Sequence, residues 1–200
     1  MQNTHSRVVT TSTLLDALRG YDNRTVWAEF DAHYRRLIER VAARLGLSPE
    51  EASEAAQQTL ADFAEGYRTG NYDRSRGRLS SWLLAIARNR IMDVHRSRRR
   101  RQARGSSALV DIAVAEVDPL WEQEHEQLVL ERALLELREE SRTEPRTLRV
   151  FEQVALQGAA PDRVAQEHAL SVDHVYRIKS RITERLRAIV ERVHREHTEA

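Results

Sequence analysis

A chain of 200 residues can hold one medium domain or two small helical ones. Its 32 Lys and Arg stand against 31 Asp and Glu, so a net charge of +1 names no partner, and the distribution of charge must carry that argument. The absence of cysteine removes disulfide frameworks, thiolate metal sites and thiol nucleophiles. No apolar run approaches the roughly 20 residues of a membrane span. The polar start from Met1 to Thr13 lacks the apolar core of a signal peptide. A cytoplasmic protein with no membrane partner is the expectation. Glycine and proline are scarce and strand-like alternation is absent, so the predicted class is all-α.

Leu14, Leu15 and Leu18 predict a short opening helix that stops near Gly20. A longer one follows Asn23, with Trp27, Phe30, Tyr34, Leu37, Ile38, Val41 and Leu45 at steps of three and four, and Gly46 ends it. Ser48-Pro49-Glu50-Glu51 is a helix start: the Ser48 hydroxyl can accept from the Glu51 amide, Pro49 suits the first turn, and Glu51 can reach back. Ala52, Ala56, Leu60, Phe63 and Tyr67 mark the buried stripe of that second helix. Gly70 to Gly77 reads as a loop. A third long helix begins near Ser80, buries Leu83, Ala87, Ile91 and Val94, and runs into the arginines at 96 and 98 to 101.

The segment from Gly105 to Asp118 has small residues, no clear period and a closing Asp-Pro, and is predicted to be a linker. It divides a first helical domain, 10–104, from a second, 119–197. The second opens on a charged helix with Trp121, Leu128, Leu134, Leu135 and Leu137. Pro145 starts a helix with Leu148, Phe151 and Val154 that Gly158 closes, and Pro161 starts a short one through Val164, Ala165 and His168. Ser171 can cap the last, which carries Val175, Ile178, Ile182, Leu186 and Ile189.

Three constellations could carry function. Arginine is dense from Arg74 to Arg104 and acids are scarce, which suits a polyanion; the competing reading is a solvated helix end or a basic tail. Leu83, Ala87 and Ile91 can be buried while Arg88, Asn89, Arg96, Arg99 and Arg100 stay free. Next, Ala165, the turn at Ala169, the cap at Ser171 and the anchor Val175 have helix-turn-helix spacing, with an ordinary helical hairpin as the alternative. The second helix of that pair offers Asp173, His174, Tyr176, Arg177, Lys179, Ser180 and Arg181, types that contact phosphates and base edges. Last, Glu50, Glu51, Glu54, Gln57, Gln58, Asp62 and Glu65 form an acidic face that could dock on a basic protein surface or simply solubilise the helix. No glycine-rich phosphate loop and no nucleophile motif is present, and His194 and His197 lack a third ligand, so neither catalytic residue, metal nor cofactor is expected.

Together these segments resemble the sigma-70 family, extracytoplasmic-function (ECF) group, over nearly the whole chain. The most specific match is Ser81-Trp82-Leu83-Leu84-Ala85-Ile86-Ala87-Arg88-Asn89-Arg90-Ile91-Met92-Asp93 followed by arginines. It resembles the region 2 helix that helps melt and read the −10 promoter element. Glu54-Ala55-Ala56-Gln57-Gln58-Thr59-Leu60 resembles the stretch that docks on the clamp helices of the polymerase β′ subunit, with Gln58 in place of the usual second acid. The C-terminal unit resembles region 4, which reads the −35 element, although His174-Val175-Tyr176-Arg177-Ile178-Lys179-Ser180-Arg181 departs from the common Thr-Val-Lys-Ser-Arg-Leu form.

The resemblance implies a non-enzymatic sigma factor whose partners are RNA polymerase core, through β′ and the β flap, and promoter DNA. It implies core contacts at Glu51, Glu54, Gln57 and Gln58. It implies −10 contacts at Tyr72, Arg74, Trp82, Arg88, Asn89, Arg96, Arg99 and Arg100, with Trp82 partly in the core. It implies −35 contacts at Ser171, His174, Tyr176, Arg177, Lys179 and Arg181. Bases must leave the duplex stack to be read on one strand, and the resemblance sets the loop from Gly70 to Ser80 beside such a base. The alternative is a helix-turn-helix regulator that acts without polymerase; a helical adaptor would leave the arginine tail unexplained. An anti-sigma factor is a further candidate partner. So is a kinase, because Ser53 and Thr59 lie next to the acidic face, one family acid is replaced by Gln58, and a phosphate would supply about −1.5 to −2 charge; the competing reading is that Ser53 is an ordinary exposed serine and Thr59 is partly buried beside Leu60.

Overall fold

A computed structural model describes residues 24–102, 116–139 and 143–198. The opening helix expected at 14–20 lies outside the described residues, as do positions 105–115 of the expected linker. Among the described residues there are seven α-helices and no strand, in agreement with the all-α expectation. None of these helices is long and apolar enough to cross a membrane. They divide into two units: one runs to Leu128 and includes the described residues from Arg195 on, and the other is Val129–His194.

The first unit is built on three helices. Helix α1 spans Arg24–Arg44 and buries Phe30, Tyr34, Leu37, Ile38 and Val41, the stripe its three-and-four spacing dictates. The chain then reverses through Gly46, whose positive φ of 83° suits a residue without Cβ. Helix α2, Pro49–Arg68, opens on the predicted capping box: Ser48 Oγ accepts from the Glu51 amide at 3.3 Å and the Glu51 carboxylate accepts from the Ser48 amide at 3.0 Å. Its buried side is Ala52, Ala55, Ala56, Thr59, Leu60, Phe63 and Gly66. Helix α3, Leu79–Gln102, closes the core with Leu79, Leu83, Ala87, Ile91 and Val94. Near its end Arg98 donates to the Gly46 carbonyl at 2.7 Å and lies 3.6 Å from the Glu51 carboxylate, so the basic end of α3 is tied to the α1–α2 turn.

Helix α4, Val117–Glu139, begins two residues inside the segment read as a linker. The closing Asp-Pro marks its first turn rather than a gap, since proline tolerates that position and Asp118 suits the positive helix end. Val117, Trp121 and Leu128 join the core of the first unit. Glu124, 4% exposed, accepts from Arg44 Nη1 at 3.1 Å, which compensates the burial of its charge.

The second unit takes up α4 from Val129 and adds α5 (Pro145–Phe151), α6 (Pro161–Glu167) and, as far as His194, α7 (Val172–Thr198). Its core is Leu137, Val150, Phe151, Val154, Val164, Ala165, Val175, Ile178 and Ile182. After α5 the backbone widens into one π turn, Glu152–Leu156, closed by the Gln157 amide on the Glu152 carbonyl at 3.0 Å. Glu136, 8% exposed on α4, is paired with Arg132 at 3.0 Å and with Arg192 of α7.

Candidate functional site

On α2, Glu54 and Gln57 are exposed, and the Gln58 amide donates to the Glu54 carboxylate at 3.1 Å. Gln58 is therefore a donor that orients Glu54, a role an acid could not take. Glu51 stands apart from this face: it is half-buried, and its carboxylate is spent on the helix cap and on Arg98. Glu50 is exposed, and its own backbone amide and the Ser48 hydroxyl hold its carboxyl below the usual range. Ser53 is exposed, whereas Thr59 is fully buried and donates to the Ala55 carbonyl at 2.7 Å. This agrees with the reading of Ser53 as an ordinary exposed serine and of Thr59 as a packing residue beside Leu60: Thr59 sits one helical turn from Ala55 and Phe63 on the core stripe and is not open to modification.

The loop between α2 and α3 has a defined shape. Asp73 caps a single 3-10 turn, Arg74–Arg76, by accepting from the Ser75 amide at 2.9 Å and the Ser75 hydroxyl at 2.7 Å; the hydroxyl, then the amide, hold its carboxyl below the usual range. Tyr72 is half-buried, and its hydroxyl donates to the Gly77 carbonyl at 3.2 Å. Its ring lies 6.0 Å from Tyr67 and 5.5 Å from Trp82, and burial pushes its phenol above the ordinary value. Trp82 is also half-buried, 5.1 Å from Phe63, as expected of a residue partly in the core. Arg74, Arg76 and Arg78 of the loop are exposed.

Along α3 the arginines do not form one open row. Arg88 was expected to stay free; it is half-buried and ion-paired with Asp118, an acid 30 positions away that periodicity could not connect to it. Arg90 pairs with Asp62 of α2, which raises its pKa and withdraws Asp62 from the acidic face. Arg96 is exposed and pairs with Asp93 at 2.9 Å. Asn89 and Arg100 are exposed, and the side chain of Arg99 lies outside the described residues.

In the second unit, α6 and α7 meet at a turn where Ala169 takes a positive φ of 49°. The Leu170 amide donates to the Ala165 carbonyl at 2.9 Å, and Ser171 Oγ accepts from the His174 amide at 3.2 Å, the predicted cap. Val175, Ile178 and Ile182 are buried, leaving the cap residue Ser171 and, on α7, His174, Tyr176, Arg177, Lys179 and Arg181 exposed. Arg177 pairs with Asp173 one turn before it. Among the described residues no cluster of His, Asp or Glu could hold a metal; the side chain of His197 lies outside them.

The first unit thus offers an acidic helix on one side and an arginine-bearing loop and helix on another, the outline of a helical module that meets both a protein and a nucleic acid. Residues 30–101 match the Sigma-70 region 2 family, so this unit contains a Sigma-70 region 2 domain. Such a domain implies a sigma factor, a non-enzymatic protein that binds RNA polymerase and recognises the −10 promoter element. No curated protein matches the chain.

Proposed function

We propose that the protein is a sigma factor of the ECF group. Its first unit docks on the β′ clamp helices through Glu54, Gln57 and Gln58 and reads the melted −10 element. Its second unit is a helix-turn-helix that docks on the β flap and reads the −35 element. The observation that carries this reading is the Sigma-70 region 2 match, joined to a second helical unit whose last helix presents Tyr176, Arg177, Lys179 and Arg181 to solvent. A regulator acting without polymerase would need neither the region 2 domain nor its acidic helix.

Reversing Glu54 to lysine is expected to weaken core polymerase binding about tenfold or more at low salt, with an unchanged circular dichroism spectrum, because like charge at an interface costs several kcal/mol. The loss should shrink as salt rises. Unchanged affinity at low salt would remove this face from the interface.

On the upstream element, Arg177→Ala and Arg181→Ala are each expected to cost about 1–3 kcal/mol if the arginine reads a base, with specificity relaxed at one promoter position. Binding of a set of promoter variants checks this; a uniform loss on every variant assigns the arginine to a phosphate instead.

A further inference from the structure

Gly66 is a buried glycine inside α2. Alanine is intrinsically the better helix former by about 0.5–1 kcal/mol, so the helix itself has no use for it. What Gly66 supplies is room. A Cβ there would lie 3.0 Å from Trp82 Cζ2 and 3.1 Å from Trp82 Cη2. The indole has little freedom to retreat, since Phe63 lies 5.1 Å away and Tyr72 5.5 Å away. The same glycine also fixes where the loop begins: its carbonyl accepts from the Asn71 amide at 2.8 Å. At the far end, the Tyr72 hydroxyl holds the Gly77 carbonyl. Trp82 therefore wedges between α2 and the loop, and Tyr72 leans on that wedge while closing the loop on itself.

We propose that Gly66 and Tyr72 are positioning residues for −10 reading: the gap at Gly66 seats Trp82, and Trp82 and the Tyr72–Gly77 hydrogen bond hold the 70–78 loop in the shape that receives an extruded promoter base. This rests on the reading that the loop faces the −10 element. It gives Tyr72 a different task from stacking on a base. Its ring is packed against Tyr67 and Trp82, and its hydroxyl is what the loop uses.

The test uses full-length protein assembled with core polymerase. The probe is a fluorescein-labelled single strand that wild-type holoenzyme recovers from a random-sequence pool. Gly66→Ala is expected to weaken strand binding about tenfold while core affinity and the melting temperature hold, because the loop and not the docking face has moved. Adding Trp82→Phe, which removes the ring atoms that meet the new Cβ, should restore binding toward that of Trp82→Phe alone. Tyr72→Phe, which keeps the ring and its packing and removes only the hydroxyl, should weaken the strand about two- to fivefold through loss of one hydrogen bond. If Gly66→Ala binds the strand as wild type does, or loses core affinity and melting temperature in parallel with no rescue by Trp82→Phe, the positioning role of Gly66 is overturned. Full binding by Tyr72→Phe overturns the role given to its hydroxyl and returns Tyr72 to base stacking. If wild-type holoenzyme recovers no strand at all, the −10 reading itself fails, a result distinct from any difference among the variants.

Discussion

Thr59→Glu is expected to unfold the first unit. Thr59 is 0% exposed and its hydroxyl is satisfied within its own helix by the Ala55 carbonyl. A glutamate there must place a carboxylate and an extra methylene among Ala55, Ala56 and Phe63. An unpaired buried charge costs several kcal/mol, and overpacking adds about 1–3 kcal/mol, against a total domain stability of about 5–15 kcal/mol. Thermal unfolding by circular dichroism should show the first transition lost or lowered by many degrees. Ser53→Glu, on the exposed side of the same helix, should stay within about 0.5 kcal/mol of wild type. Gln58→Glu removes the donor to Glu54 and sets two carboxylates one turn apart, so it should cost a few tenths of a kcal/mol. A Thr59→Glu protein as stable as Ser53→Glu would mean that the side chain reaches solvent. As the structure stands, of the two hydroxyls considered for phosphorylation only Ser53 is open to a kinase.

Trp121→Ala is expected to destabilise the first unit, although periodicity alone groups this residue with the second. The indole is 4% exposed and lies nearly parallel to Tyr34, with ring centroids 6.4 Å apart. Replacing a buried tryptophan by alanine costs about 3–5 kcal/mol through lost burial and the cavity left behind. Hydrogen exchange on the full chain locates that loss, because protection reports the unit in which a contact resides. Amides of α1 around Leu37 and Val41 should exchange faster, while those of α7 around Val175 and Ile178 keep their protection. Loss of protection in α7 with α1 unchanged would move Trp121 into the second unit.

The difference over Trp121 indicates what kind of information the sequence carries. Helix starts were legible because each is a local device: the Ser48 capping box, Pro145, Pro161 and the Ser171 cap all act within a few residues, and all stand where their chemistry sets them. The buried stripes of α1, α2 and α3 were legible because helical spacing sorts a face without knowing its partner. Periodicity cannot say which unit a stripe joins, so it groups Trp121 and Leu128 with the second unit and leaves Val117 in a linker, whereas all three pack in the first core. Arg88 reads as an open cation for the same reason: Asp118 is far away in sequence and adjacent in space.

Within the candidate site, residue type was informative and availability was not. Glu51 carries the right charge for a docking face but is committed to the cap and to Arg98. Thr59 is legible as a packing residue despite its polar type, because its spacing from Ala55 and Phe63 sets it on the core stripe beside Leu60. The π turn after Phe151 has no marker in composition, and the room that Gly66 leaves for Trp82 exists only once α2 and α3 are packed.

A sigma subunit must join core polymerase and make it initiate at chosen sites. The most direct measurement mixes the purified 23.1 kDa protein with core RNA polymerase on a sizing column and assays the complex for initiation on a library of promoter-length duplexes. The protein should elute with core, and the complex should start RNA at discrete positions on a subset of duplexes where core alone does not. Elution apart from core, together with tight binding of the free protein to duplex DNA, would contradict a sigma role and leave a helix-turn-helix regulator that acts without polymerase.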